Sequence, residues 1–547
     1  MIMSVSSREL DSDTGLLDVE ETHTAPIVLE GEGRDPGPFP PGTFRKIGSG
    51  MATLVMLIVA TYLVPGLQWA RPWTADDPVI FWNVIGREIL GEGVQEEVAA
   101  ESLAQAEAVA RAVAVEEDES PFEDRQVVRP PPDVGEGDEA PRRPAYQPHP
   151  DDEKDVPQSL EMADVTALDR FFESLARTEL GYDGAITRVS QWGDSVIAND
   201  NVTSTLRAKM QKRFGDAGHG FHLLAKPNNN YRHQGIVFSD GADWSRCYII
   251  NKCKSDGHYG LGGTVVWSSG GARSVFRTAD KTPFGQKASR FELWYTQHAR
   301  GGKIRIKVDG GEPELVDTAL PEDAPEGVDL LDAWHVLELD DGPHTIEVRA
   351  AGGGQARAYG IVLERDVPGV VWDGMEQLGA FASRMLYFDE DHLRGQLDRR
   401  GVDLAVLMFG GNDLQLGERR LGEYEQNLIE VVRRFRATSH GEPRACMLVA
   451  PVDHGYRDAG RVVGNPMVPK LIAVQRKVAL AEGCAFFDTY AAMGGEGAVG
   501  RWRRANPPLI SGDLAHLTHE GQRVLGHYLY LALMEGYRDY RARTDTP

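Results

Sequence analysis

Cysteine is scarce in this chain, four among 547 residues, and so low a count excludes a small scaffold held together by disulfides. Cys247 and Cys253 lie close together in a loop-rich stretch and can pair in an oxidising compartment. Cys446 and Cys484 each open an apolar run and are expected to be inert buried thiols. Basic residues are also short: 58 Lys and Arg stand against 83 Asp and Glu, a formal charge of -25. A surface of that sign repels a polyanion, and no Lys/Arg run interrupts it, so a nucleic-acid partner is excluded. No Cys/His spacing matches a zinc site.

What is present suggests two folded domains plus non-globular segments, since a chain this long outgrows one core. Residues 1–46 are acidic, rich in Gly and Pro and without apolar periodicity, the composition of a disordered cytoplasmic tail. Arg45 and Lys46 precede an uncharged run over 47–70, long enough to cross ~30 Å of hydrocarbon as a helix. Trp69 and Trp73 suit the far interface and the basic pair the cytoplasmic one, so a single inner-membrane span is expected, with everything after it periplasmic or otherwise extracytoplasmic. Residues 71–159 follow as an Ala/Glu-rich helical stalk and an acidic, Pro-rich linker that would hold the folded part away from the membrane.

The folded part opens near Leu160. Leu168, Phe171, Phe172 and Leu175 fall at helical spacing. The alternation Ile186, Val189, Trp192 then runs into Gly193-Asp194-Ser195, and a helical pattern follows over Val202 to Phe214. A serine on such a strand–turn–helix stands at the carboxyl end of a strand, where open α/β sheets place their chemistry, beside N–H groups suited to an anion. Over 238–365 the texture changes to short alternating strands with turn signals, which predicts an inserted β-sandwich. Helix–strand alternation resumes over 366–547, with apolar strand runs at Val402–Phe409, Met447–Val452 and Ala485–Asp488. The α/β part is therefore expected in two pieces, 160–237 and 366–547.

Three groups sit at the ends of the resumed strands: Trp372-Asp373-Gly-Met-Glu-Gln-Leu-Gly379-Ala380, Met408-Phe-Gly-Gly411-Asn412-Asp413, and Asp513-Leu-Ala-His516-Leu-Thr-His519-Glu-Gly521. Ester cleavage by a serine needs a base, an acid that holds the base's tautomer, and donors aimed at the developing oxyanion. Ser195 as nucleophile, His516 as base and Asp513 as its partner supply the first two. The backbone N–H groups of Ser195 and Gly379 and the side chain of Asn412 supply the donors. His519 is the rival base, and Asp513, His516 and His519 as metal ligands would form an incomplete set. Asp194 is expected to brace the serine turn, and Asp413 to cap the helix after its block.

In that order Gly193-Asp194-Ser195, Gly379, Gly411-Asn412-Asp413 and Asp513-x-x-His516 resemble the four blocks of the SGNH (GDSL) hydrolase superfamily, over about residues 162–540. The pattern Lys212-Arg-Phe-Gly-Asp-Ala-Gly-His-Gly-Phe, the insertion, Pro368-Gly-Val-Val-Trp-Asp and Leu378-Gly-Ala are similar to bacterial peptidoglycan O-acetylesterases, whose insertion is carbohydrate-module-like. The resemblance implies an α/β fold, a three-layer α/β/α sandwich with a parallel sheet. It also implies a serine esterase that deacetylates an O-acetylated glycan, peptidoglycan foremost, with no metal and no cofactor. Two positions depart from the pattern: Val196-Ile197 stands where those esterases carry His-Thr, and Leu378 where they carry Asn. Both touch the pocket rim and bear on substrate more than on mechanism. Trp192-Gly-Asp-Ser-Val also lacks the Gly-x-Ser-x-Gly elbow of α/β-hydrolases. The alternatives are a polysaccharide O-acetyltransferase using the same residues, and a glycan-binding or scaffold protein on a silent hydrolase fold. Nothing in the chain points to an oligomeric state.

Overall fold

The structure, a computed structural model, describes residues 94–115, 122–129, 143–241 and 243–545. The expected tail at 1–46 and membrane span at 47–70 lie outside them, and among the described residues no helix is long and apolar enough to cross a membrane. In chain order the α/β part and the helix before it run α1 (Val94–Val115), α2 (Asp169–Glu179), β1 (Ile186–Gly193), α3 (Asn201–Phe214), β2 (Gly369–Glu376), α4 (Glu390–Arg400), β3 (Leu404–Met408), α5 (Leu421–Arg436), β4 (Ala445–Val449), β5 (Gly455–Asp458), β6 (Arg461–Gly464), α6 (Met467–Ala481), β7 (Ala485–Phe487), α7 (Ala498–Arg504) and α8 (His519–Thr544).

Five of these strands pair in parallel in the order β2-β1-β3-β4-β7. β2, β3, β4 and β7 are buried along their whole length, the mark of a sheet covered on both faces. Successive side chains go to opposite sides. Val189, Val406 and Met447 join Phe171, Leu206 and Leu529 of α2, α3 and α8, whereas Trp192, Leu407 and Leu448 join Leu393, Leu428 and Leu471 of α4, α5 and α6. The result is the three-layer sandwich expected. Each such side chain, fully buried, contributes about 1.5–3 kcal/mol.

Between α3 and β2 the chain builds two antiparallel sheets. Ala288–His298 lies between Leu330–Gly342 and Ala356–Glu364 in the six-stranded one, and Thr345–Gly352 is central to the five-stranded one. Phe291, Leu293, Ile304, Ile306, Ile346 and Val348 form a core of their own. The sandwich takes up more chain than its texture suggests: Gly220–Leu223, assigned by sequence to the α/β part, pairs antiparallel with Gly360–Leu363 in the six-stranded sheet. Its four residues are buried, so it lacks the alternation of a half-exposed strand. At the junction Arg400 donates from Nε and Nη2 to Asp373 (2.8 and 2.9 Å) and pairs with Glu364, which also accepts from Arg188 (2.8 Å). Four charges leave water together here, and full mutual pairing offsets their desolvation.

Two expectations change. The described parts of the stalk and linker, 94–115, 122–129 and 143–159, pack on the folded domain and do not stand off from it. Ala106 and Ala110 of α1 enter the core beside α8, Asp124 pairs with Arg365 (2.7 Å), Asp152 with Arg213 (2.9 Å), and Asp151 accepts from Tyr530 (2.6 Å). Composition marked these residues as solvent-loving because their arginine and tyrosine partners are remote in sequence. The second change concerns Cys446 and Cys484, which are disulfide-bonded, as are Cys247 and Cys253. Met447 faces Ala485 in the pairing of β4 with β7, so the preceding residues are cross-strand neighbours, a register the sequence does not display.

Candidate active site

β1 ends on Gly193, where a Cβ would stand 2.8 Å from the Met408 carbonyl, so only glycine lets β1 and β3 close up at this point. Ser195 then opens a 3₁₀ turn capped by Asp194, whose Oδ1 accepts from Val196 N–H (3.1 Å), and the backbone kinks at Ala198 and Asn199. Oδ2 of the same carboxylate accepts from Gly411 N–H (3.1 Å). Asp194 thus braces the serine turn and ties it to the Gly-Gly-Asn-Asp turn. Burial pushes its pKa up to about 6 against the pull of these N–H groups. Asn199 and Asp200, both at positive φ (65° and 61°), finish the turn, with Asp200 held by Arg207 (3.0 Å).

The loop before α8 brings the other partners. Asp513 Oδ1 accepts from Ser511 Oγ (2.6 Å), Ala515 N–H (3.0 Å) and His516 N–H (3.1 Å), which leaves Oδ2 to His516 Nδ1 (2.7 Å). His516 Nε2 lies 3.0 Å from Ser195 Oγ. Partial burial opposes ionisation of Asp513, but these hydrogen bonds outweigh it and hold the carboxyl well below its usual range. A carboxylate facing Nδ1 fixes the proton there and turns the Nε2 lone pair to the serine hydroxyl. Thr518 caps α8 through Gly521 N–H (3.1 Å), and Gln522 donates to Val196 O (3.0 Å), fixing that helix to the serine turn. His519, the rival base, is turned to Asn201 (2.7 Å).

Ser195, Asn412 and His516 line a cavity of about 340 Å³. Asn412 Nδ2 donates one hydrogen to Ala380 O (3.1 Å) and retains a second. Gly379, at φ +79°, lies in the same loop as Ala380 but is not among the residues lining the cavity. Asp413 caps no α-helix: its buried carboxylate accepts from Ala382 N–H (3.1 Å), clamping that loop, and burial pushes its pKa up to about 7.

Polar lining residues were missed, His454 and Asn465 among them. His454 and Asn465 flank the β5–β6 hairpin and face the same cavity. The available signal was position: Pro451-Val452-Asp453-His454 follows the apolar run of β4, as the other site residues follow theirs. Elsewhere, among the described residues, His258, Asp332 and His392 converge as metal ligands would. His392 Nδ1 contacts Asp332 (2.6 Å) while its Nε2 accepts from Gly260 N–H (2.9 Å), so the ring has no lone pair to give a metal.

Residues 350–524 match the GDSL-like lipase/acylhydrolase family. The chain carries an acylhydrolase domain of that class and is a carboxylic ester hydrolase. Among solved structures it is similar to a peptidoglycan O-acetylesterase, at 21% identity and a TM-score of 0.56, over 70% of this chain and 99% of that one. Fainter likenesses are to a family two carbohydrate esterase from Cellvibrio japonicus (11% identity, TM-score 0.24, 56% of this chain and 98% of that one) and to an acetyl xylan esterase (15%, 0.23, 30% and 81%). No curated protein matches the chain.

Proposed function

We propose that the protein is a membrane-anchored, extracytoplasmic serine esterase that deacetylates an O-acetylated polysaccharide, peptidoglycan foremost. The observation that carries this reading is the continuous path from Asp513 Oδ2 through His516 to Ser195 Oγ, with contacts of 2.7 and 3.0 Å, opening on a cavity beside Asn412. Ser195 Oγ attacks the acetyl carbonyl as His516 Nε2 takes its proton, and Asp513 stabilises the imidazolium. Ser195 N–H, Gly379 N–H and Asn412 Nδ2 receive the oxyanion. His516 returns the proton to the departing sugar oxygen, and water, deprotonated by the same imidazole, cleaves the acetyl-enzyme to acetate.

The similarity to a peptidoglycan O-acetylesterase over nearly all of that chain supports the glycan. Two disulfides support an oxidising compartment, and the uncharged run at 47–70 supports the anchor. The test is acetate release from O-acetylated peptidoglycan by the detergent-solubilised protein. Ser195→Ala is expected to fall to background. Acetate release by that variant at a rate near wild type would discard the mechanism, and acetyl transfer to an added sugar without free acetate would discard the hydrolytic outcome.

A further inference from the structure

The β5–β6 hairpin begins and ends in the active-site cavity. His454 immediately precedes β5 and Asn465 immediately follows β6. Asn465 N–H donates to His454 O (2.7 Å), and Gly455 N–H donates to Leu514 O (2.8 Å), inside the loop that carries Asp513 and His516. The two side chains are therefore held in register with the nucleophile and its base.

Their polarities are opposite. His454 Nδ1 lies 2.8 Å from Val452 O, and a carbonyl only accepts, so Nδ1 carries the proton and Nε2 presents a lone pair. Burial lowers the pKa of the ring, which keeps it neutral and Nε2 an acceptor. Room for that atom comes from Gly411, where a Cβ would stand 3.3 Å from Nε2. Asn465 is oriented the other way: its Oδ1 accepts from Met467 N–H (3.0 Å), which leaves the Nδ2 hydrogens to the cavity. A lone acceptor and an amide donor on the two roots of one hairpin match the N–H and C=O of a secondary amide. A hydroxyl can satisfy either one, yet it needs neither in particular. Tyr456, two residues on from His454, is exposed and offers an aromatic face on which a sugar ring can stack.

We infer that His454 and Asn465 form a subsite for the acetamido group of a 2-acetamido sugar in the glycan whose ester Ser195 attacks. The inference rests on the esterase reading and narrows its substrate to amino-sugar polymers over neutral acetylated ones. A site built around an N–H and a C=O rejects an analogue lacking them, because its own polar groups are left unpaired.

The test compares kcat/KM of the full-length protein on two matched oligosaccharides, one of 6-O-acetyl-2-acetamido sugars and one of 6-O-acetylglucose. Wild type is expected to favour the acetamido substrate by about tenfold or more. His454→Asn keeps a donor for Val452 but no longer reaches the Nε2 position, and should bring the ratio near one. His454→Gln, which restores an acceptor at that reach, should recover part of the preference. Asn465→Asp keeps the Met467 contact, loses the donors and should also lower the ratio. A wild-type ratio near one overturns the inference, as does an unchanged ratio in His454→Asn. Equal loss on both substrates overturns it too, since it places His454 in turnover and not in recognition. If His454→Asn does not fold, the wild-type ratio and Asn465→Asp decide. Cleavage of neither ester by wild type removes the esterase reading itself, an outcome distinct from equal cleavage of both.

Discussion

Asp513 commits one carboxylate oxygen to its own loop and the other to His516, so the loop and the imidazole are set by the same group. Asp513→Asn would keep an acceptor for the loop and present an N–H to the ring, forcing the wrong tautomer. Turnover is expected to fall by about 10³–10⁴ with the melting temperature nearly unchanged, checked by single-substrate kinetics beside calorimetry. Asn412→Ala removes a side-chain donor and should lower kcat by ~10²-fold or more; a loss under threefold would take Asn412 out of the oxyanion site. Ser195, Asn412, Asp513 and His516 were legible in the sequence because each has a residue type the chemistry demands and sits after an apolar strand run or before the last helix. His454 and Asn465 were not. A histidine and an asparagine eleven positions apart read as turn residues until the pairing of Gly455 with Gly464 brings them to one mouth.

Strands show the same division between local and remote information. β3, β4 and β7 were readable from their apolar runs, since a strand covered on both faces needs no partner to reveal itself, and β1 from its alternation. Gly220–Leu223 was misassigned because its partner, Gly360–Leu363, is in the last strand of the sandwich, far along the chain. The Cys446–Cys484 bond was missed for a related reason: apolar context predicts burial, and only register predicts pairing. The bond spans a sequence separation of 38, so the double replacement Cys446→Ala and Cys484→Ala should cost about 2–4 kcal/mol by loop entropy. Urea unfolding with and without a reductant measures this. The wild type should lose stability on reduction, and the double variant should lose less.

Over the whole molecule the sandwich and the α/β layers meet through Arg188, Glu364, Asp373 and Arg400. Burial disfavours the Glu364 charge, but the two guanidiniums prevail and hold its pKa down to about 2 from an ordinary 4.5. A depressed folded-state pKa contributes stability that is complete above 4.5 and is lost as the pH falls toward 2, about 3 kcal/mol for this group. The acid limb of a stability–pH curve should therefore be steep in the wild type and shallower in Glu364→Gln, which should also unfold more easily at neutral pH because a buried arginine loses its partner. An acid limb of equal slope in both would remove Glu364 from the account. The docking of α1, 122–129 and 143–158 onto the folded part carries a consequence of another kind. Chain fastened down in this way is part of the folded unit, so a truncation that begins at residue 160 loses these contacts and should unfold at a lower temperature than the whole protein.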